Sequence, residues 1–580
     1  MNVVHVTHEA VEKIGGIGTV IDGLCTAKAY DKIAERTIMV GPLFRTDLPA
    51  GRRLGENSTL IYSSIDEIDT QKMGEKFAPI REEFGVEIVY GKREMTEPYL
   101  GKTVEVEVLL FEVSHANVDR VNEFKALMFE QFEVASDKNQ AIWDYEQYVR
   151  IAEPAYCCLE AIGAICPEQH TLILSHEYMG MPTALKAISE NNSNIRTVFY
   201  AHEVASVRPV VENAPGHDTM FYNVMDKAHG QGDKLEEIFP NVDENYKHEL
   251  VKAARFCDHV FAVGDYVKQE LEFVDPQFQD DKIDIVYNGV QSEEIPLAEK
   301  KHSQRLLKDY VRSLVGFEPD YIFTHVARPV RSKGIWRDLR VMHELEKKLK
   351  ARGKRAVFIM LGTLGGKREL ADVQHMSDSY GWPVVHVNGY PDLSGGEENV
   401  FADFESFNCN HTAVRALLVN QWGWSPEVCG NKMPAGMTIA DLRKGADIEF
   451  GLSIYEPFGI SQFEALSFGA LCVVTKTCGC CGFAQKAQKG ENIPNVIEAD
   501  FITLPDELTI GELKNLTIPQ RDEIERVEAG RLADVIDSYL ASDENQLEKL
   551  LEDGYRLASR MSWEHVVSEY FLPAIKHTDQ

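Results

Sequence analysis

The stretch HVTHEAVEKIGGIGTVIDGL, residues 5–24, sets three glycines into four positions, Gly15, Gly16 and Gly18, just after Lys13. An apolar run, NVVHVT, precedes it, and a helical pattern, TVIDGLCTAKAY, follows. Strand, glycine-rich loop and helix in that order open a doubly wound α/β unit. Glycines at such a loop let backbone N–H groups face an anion at the helix N-terminus. The dinucleotide fingerprint G-x-G-x-x-G is incomplete, because Gly16 and Gly18 are followed by Ile21. No acidic residue closes a second strand either, since RTIMVGPLF runs into Pro42. The P-loop order also fails, because the lysine comes before the glycines. On local grounds an anion loop and a plain turn both stay open.

The same alternation continues along the chain. Strand-like runs are NVVHVT, RTIMVG, EVEVLLFEV, TLILSH, RTVFYAHE, HVFAVG and DIVYNGV in the first half, and YIFTHVAR, AVFIMLG, VVHVNGY, IEFGLSI and LCVVTK in the second. Helical patterns such as EQYVRIAEPAYCCLEAIGAIC, IWRDLRVMHELEKKLKARG and ISQFEALSFG lie between them. This predicts two parallel sheets wrapped by helices. A chain of 580 residues, 44% of them hydrophobic, is long enough for two such domains. The expected division is a first domain over 1–295, a hinge over 296–317, and a second domain over 318–561. Residues 391–450, rich in Gly, Asn and Trp, read as an insertion, and 562–580 as a terminal helix.

The formal net charge of −32 disfavours nucleic acid and anionic membranes as partners. A phosphate-bearing substrate would then need a local positive pocket. The basic run ELEKKLKARGKR, 344–355, has an amphipathic period and reads as a solvated helix face. No apolar stretch is long enough for a membrane span, and no secretory signal is visible, so a cytoplasmic location is expected. The eleven cysteines are an odd number without a framework, which fits a reducing compartment. Cys478, Cys480 and Cys481 cluster in KTCGCCGFAQ but lack a second ligand pair at zinc-like spacing.

Three further groups carry chemistry. In HVARPVRSKGIW, Arg328 follows a strand and Lys333 precedes Gly334; an arginine can grip a phosphate and a lysine can add charge, although surface placement explains both equally. In YEPFGISQFEALSFGALCVVTKTCG, Glu456 and Glu464 are separated by seven residues. Gly459 and Ile460 open the predicted helix with free N–H groups, and Thr477 and Gly479 follow the next strand. Glu464 could reach paired hydroxyls, or merely complement the helix dipole. His176 in LSHEYMGMPTAL and His202 in FYAHEV stand at strand ends; a lone histidine is usually structural, but two at neighbouring ends suggest a site.

Taken together, these pieces resemble the retaining glycosyltransferases of the GT-B class, most of all the glycogen and starch synthase group and related family-4 and family-5 enzymes. The resemblance covers nearly the whole chain in the family's order. EKIGGIGTV is similar to K-[TS]-G-G-L-G-D-V, SHEYMGMPTAL to H-D-W-x-x-G-x-x-P, and FYAHEV to a strand ending in T-x-H. YNGV at 287–290, with Asn288, is similar to N-G-[IV]; RPVRSKG to R-x4-K-G; EPFGISQFE to E-x7-E; and MSWEHVVSEY to F-S-W-x-x-[VA].

The resemblance implies two Rossmann-like domains facing across a cleft, with a last helix returning to the first. It implies that Arg328 and Lys333 neutralise the leaving diphosphate, that Glu456 holds the transferred sugar, and that His202 sits beside the anomeric carbon. Lys13, Gly15, Gly16 and Gly18 would approach the diphosphate from the first domain. Gly459, Ile460, Thr477 and Gly479 would hold phosphate and sugar, and Glu464 the ribose. His176 and Asn288 would lie on the acceptor and sugar side. The implied reaction moves glucose from ADP- or UDP-glucose to an α-glucan end with retention. No Asp-x-Asp triplet occurs, so no metal or other cofactor is expected. A homo-oligomer stays open, as do transfer to a small sugar or another glycan, a silent nucleotide-sugar-binding protein, and a nicotinamide oxidoreductase disfavoured by the incomplete fingerprint. Departures from the pattern are Thr19 for the loop aspartate, His176-Glu177-Tyr178 for H-D-W, Cys478 for a glycine, and the length of 391–450.

Overall fold

The computed structural model describes residues 1–13, 15–96, 102–278 and 280–578. Ile14 of the glycine loop and residues 579–580 of the C-terminal segment lie outside them. The chain divides into two compact units: residues 1–210, 228–289 and 563–580 form the first, and 211–227 with 290–562 form the second.

The first unit is built on one sheet. Its strands are β1 (Asn2–Val6), β2 (Arg36–Pro42), β3 (Ser58–Ser63), β4 (Ile68–Asp69), β5 (Glu87–Thr96), β6 (Thr103–Glu112), β7 (Thr171–His176), β8 (Ile195–Ala201), β9 (His259–Ala262) and β10 (Ile283–Ile285). Their order is β10-β9-β8-β7-β1-β2-β6-β5-β3-β4. Neighbours from β10 to β6 run parallel, whereas β5, β3 and β4 are added antiparallel. The parallel strands are the continuous apolar runs of the sequence, because both their faces are covered. The antiparallel edge was missed: the outer half of β5, GKREMT, carries charged residues and does not read as a buried strand.

The second unit holds β11 (Tyr321–Val326), β12 (Ala356–Leu361), β13 (Val414–Val419), β14 (Ile448–Gly451), β15 (Leu471–Thr475) and β16 (Val496–Ala499). All pairs are parallel, in the order β13-β12-β11-β14-β15-β16, the doubly wound arrangement. Its strands feed two cores. Ala356, Phe358 and Met360 of β12 face one, and Val357, Ile359 and Leu361 the other. Helix Ile335–Ala351 covers the first core through Val341, Met342, Leu345 and Leu349. Lys347 and Lys350 on its other side are exposed, as the amphipathic run predicts.

Several boundaries differ from the sequence reading. Residues 296–317 hold a helix, Leu297–Val315, whose Leu307, Tyr310 and Val311 are buried in the second core of this unit, so they are not a bare hinge. Residues 391–450 are not an insertion: they supply β13 and most of β14, an edge and a central strand of the sheet respectively. VVHVNGY forms no strand; only an isolated bridge joins Asn388 to Leu393. ISQFEALSFG is not one helix but two short 3₁₀ turns, Ile460–Phe463 and Leu466–Phe468. Helix Glu544–Ser559 presses against it so closely that a Cβ on Gly554 would lie 2.2 Å from the Leu466 carbonyl oxygen. Residues 211–227 join the second unit because both Nη atoms of buried Arg337 donate to Asp218, at 2.9 and 2.6 Å. No described helix is long and apolar enough to cross a membrane.

Candidate functional site

In an open parallel sheet, ligands bind beyond the C-terminal strand ends where the winding reverses. In the second unit that point lies between β11 and β14, which pair directly although β12 and β13 separate them in the chain. The loops after these two strands carry Arg328, Lys333 and Glu456. They are stapled together: Ile454 N–H donates to the Ser332 carbonyl at 2.8 Å. The contact requires a glycine beside Lys333. Gly334 has φ +61°, and a Cβ there would lie 2.2 Å from the Leu452 carbonyl oxygen.

The charges in these loops are distributed unevenly. Lys333 Nζ forms an ion pair with Glu456, both half-buried. Arg328 is exposed, and its side chain makes no hydrogen bond or ion pair among the described residues. The two residues assigned to the diphosphate are therefore not equivalent: Arg328 is an uncompensated cation, whereas the charge of Lys333 is already matched by the carboxylate expected to hold sugar.

The loop that follows is shaped by Gly459, with φ +88°. A Cβ there would meet Gln462 Oε1 at 2.6 Å and Cys478 Sγ at 2.8 Å, which also puts Gly459 against the loop after β15. The N–H groups of Gly459, Ile460 and Thr477 have no hydrogen-bond partner among the described residues. Gly479 corrects the expectation, because its N–H donates to the Pro457 carbonyl at 3.1 Å and is not available to a ligand. Cys478 donates to the Phe458 carbonyl at 2.7 Å and lies 3.2 Å from Cys480 Sγ. The cysteine cluster is packing within the β14 and β15 loops, and no metal-ligand group among the described residues includes it.

Glu464 lies just past the first 3₁₀ turn and is bonded through one oxygen to Arg443, a residue the sequence reading missed. Arg443 is buried and also pairs with Glu449 at 2.8 Å, which in turn accepts from Val326 N–H at 3.1 Å. The guanidinium orients Glu464, whose other oxygen has no hydrogen-bond partner among the described residues. It comes from helix Ile439–Gly445, inside the supposed insertion, and nothing in its local sequence marks it.

In the first unit the winding reverses between β7 and β1. The glycine loop follows β1, but its anion is internal. Gly15 and Gly18 N–H groups each donate to one oxygen of the buried Glu9 carboxylate, both at 2.8 Å. A Cβ at either glycine would lie 2.9 Å from that carboxylate, so close approach explains both glycines. Lys13 pairs with Asp22. Gly16, by contrast, makes no contact with Glu9: it is exposed, has φ −92°, and has nothing within 4 Å of a Cβ. Glu9 was missed because a carboxylate six residues before a glycine pair has no recognisable spacing.

His176 and His202 do meet. His176 Nδ1 and His202 Nε2 are 2.8 Å apart, and His176 Nε2 lies 2.9 Å from Nδ1 of His5 in β1. With both ring nitrogens used and no exposure, His176 cannot touch an acceptor, which corrects its assignment. Burial lowers the pKa of His202 to about 3, that of His5 to about 3, and that of His176 well below the ordinary 6.5. Glu177, at φ +60°, accepts from Glu203 N–H at 2.6 Å; burial and the Glu203 charge push its carboxyl well above the usual range. Asn288 is buried too, and its expected sugar contact is not supported. It precedes Gly289, where Trp563 packs so tightly that a Cβ would lie 2.5 Å from the indole; Gly23 meets the same ring. The NGV and SWEH segments are thus joined by packing. Beside the ends of β1 and β2 a recess of about 540 Å³ is lined by His8, Glu12, Arg45, Arg53 and Arg93 among others.

Two Rossmann-like units of this kind, with these strand orders, are the GT-B fold. No protein-family model and no curated protein matches the sequence. Solved structures do match. The catalytic domain of starch synthase IV from Arabidopsis thaliana, bound to ADP and acarbose, is 15% identical, with a TM-score of 0.53 over 100% of both chains. A UDP-forming α,α-trehalose-phosphate synthase from Burkholderia xenovorans is 13% identical, with a TM-score of 0.50 over 100% of both chains.

Proposed function

We propose that the protein is a retaining glycosyltransferase that moves glucose from ADP- or UDP-glucose to an α-glucan end. One observation carries the reading: at the winding reversal of the second unit, the uncompensated Arg328 guanidinium and the free N–H groups of Gly459, Ile460 and Thr477 stand beside the Lys333–Glu456 pair. An exposed cation and unpartnered amide dipoles suit a leaving diphosphate, which gains negative charge as the glycosidic bond breaks. Glu456 and the free oxygen of Glu464 suit hydroxyls of sugar and ribose. Lys333 then links the two halves of the donor, its charge shared between Glu456 and the diphosphate. Fold similarity to a starch synthase bound to ADP and acarbose supports a glucan acceptor.

A second reading differs only in the acceptor. The Burkholderia xenovorans structure is a trehalose-phosphate synthase, and the recess lined by arginines in the first unit suits a small sugar, including an anionic one. Purified protein should therefore be given ADP-, UDP- and GDP-glucose in turn, with glycogen, glucose or glucose 6-phosphate, and nucleoside diphosphate release measured. Release that depends on glycogen supports the first reading, and release that depends on a small sugar supports the second. Donor binding without release under every acceptor would refute both and leave a silent nucleotide-sugar binder.

A further inference from the structure

His5, His176 and His202 come from the ends of adjacent strands β1, β7 and β8, and their side chains form one continuous column. Ring centroids are 5.1 Å apart in both pairs, with planes 22° and 8° from parallel. That repeat is the strand spacing of the sheet, so the backbone sets the pitch of the column. The hydrogen bonds run through it without a gap: His5 Nδ1 to His176 Nε2 at 2.9 Å, then His176 Nδ1 to His202 Nε2 at 2.8 Å. At the inner end, His5 Nε2 lies 3.0 Å from the Tyr30 hydroxyl. At the outer end, His202 Nδ1 has no partner among the described residues, and the residue is partly exposed.

A neutral imidazole has one N–H and one lone pair, so each ring in such a column must donate in the same direction. Fixing one end fixes every tautomer. Tyr30 supplies that end. Its oxygen accepts from Thr37 Oγ1 at 3.3 Å, which orients the hydroxyl. Of its two remaining neighbours, the Cys25 thiol and His5 Nε2, the imidazole lone pair is the stronger acceptor, so the phenol proton goes to His5. His5 then carries its proton on Nδ1 and donates to His176. His176 does the same to His202, whose remaining proton is on the outward Nδ1.

We propose that Tyr30, His5 and His176 are positioning residues that hold His202 as a neutral Nδ1–H tautomer, presenting a fixed, uncharged hydrogen-bond donor to an oxygen of the bound sugar nucleotide. The identity of that oxygen rests on the glycosyltransferase reading; the tautomer does not. His202 is then no general base, because its Nε2 lone pair is taken by His176. Burial of all three rings agrees, since it disfavours a charge anywhere in the column.

Solid-state NMR of protein carrying ¹³C,¹⁵N-histidine distinguishes the two ring nitrogens, with assignment by single His→Gln variants. The expected result at neutral pH is Nδ1–H in all three rings. Nε2–H in His202, or an imidazolium in the column, overturns the proposal whether or not the protein turns over a donor. Tyr30→Phe removes the phenol that sets the direction, and is expected to mix the His202 tautomers and lower kcat about tenfold, the worth of one hydrogen bond, with donor KM little changed. An unaltered His202 spectrum in that variant also overturns the proposal. If Tyr30→Phe does not fold, Thr37→Val, which frees the phenol to turn, is expected to mix the tautomers in the same way, and an unmixed spectrum counts against the relay. Nδ1–H rings in a protein that releases no nucleoside diphosphate would sink the transferase reading alone.

Discussion

Replacing His5 by glutamine tests the neutral column through stability. The folded pKa of His5 is lowered to about 3, against about 6.5 in an unfolded chain, so the folded state binds fewer protons anywhere between. With the folded value depressed, the stability is fully present above pH 6.5 and is lost as pH falls toward 3. Linkage gives a loss of about 1.4 kcal/mol for His5 between about pH 7.5 and about pH 5.5 and the same for His202, with buried His176 acting in the same direction. His8, half-buried beside the column, titrates in both proteins, and so does Glu177. The useful quantity is therefore the difference. Urea unfolding at the two pH values should show wild type losing about 1.4 kcal/mol more than His5→Gln, although the variant is the less stable protein at pH 7.5. Equal losses within about 0.3 kcal/mol would mean that His5 is not held neutral, and the tautomer argument would fall with it.

Other outcomes follow from the donor loops. Arg328→Ala and Lys333→Ala should each lower kcat by on the order of 10² while donor affinity falls less, and near-normal turnover in both would remove the diphosphate assignment. Gly459→Ala should cost about 1–2 kcal/mol from its left-handed backbone, and more from the contacts with Gln462 and Cys478; a thermal midpoint equal to wild type would contradict that geometry. Turnover should survive EDTA, whereas loss restored by Mg²⁺ or Mn²⁺ would establish a metal requirement.

Much of the fold could be read because parallel strands buried on both faces must be apolar without interruption. NVVHVT, TLILSH and AVFIMLG announce themselves, and they recur with helices between. The failures have equally local causes. VRALLV stands among glycines and tryptophans that read as an insertion, yet it is β13. ISQFEALSFG has helix-forming residues, but the helix packed through Gly554 leaves it only two tight turns. The charged residues of 296–317 hid an amphipathic helix whose apolar side covers a sheet.

The sequence by itself determined the two doubly wound units and the residues on the loops at their strand ends, since spacing along one strand, turn and helix is local information. Tertiary structure decided which of those residues are free. Glu9 fills the glycine loop, Glu456 pairs with Lys333, Arg443 orients Glu464, and His5 turns two isolated histidines into a column. Each partner comes from elsewhere in the chain, by 6 residues for Gly15 and by 171 for His176. Hydrogen bonds and ion pairs depend on proximity in space, and only the packed sheets bring those groups together.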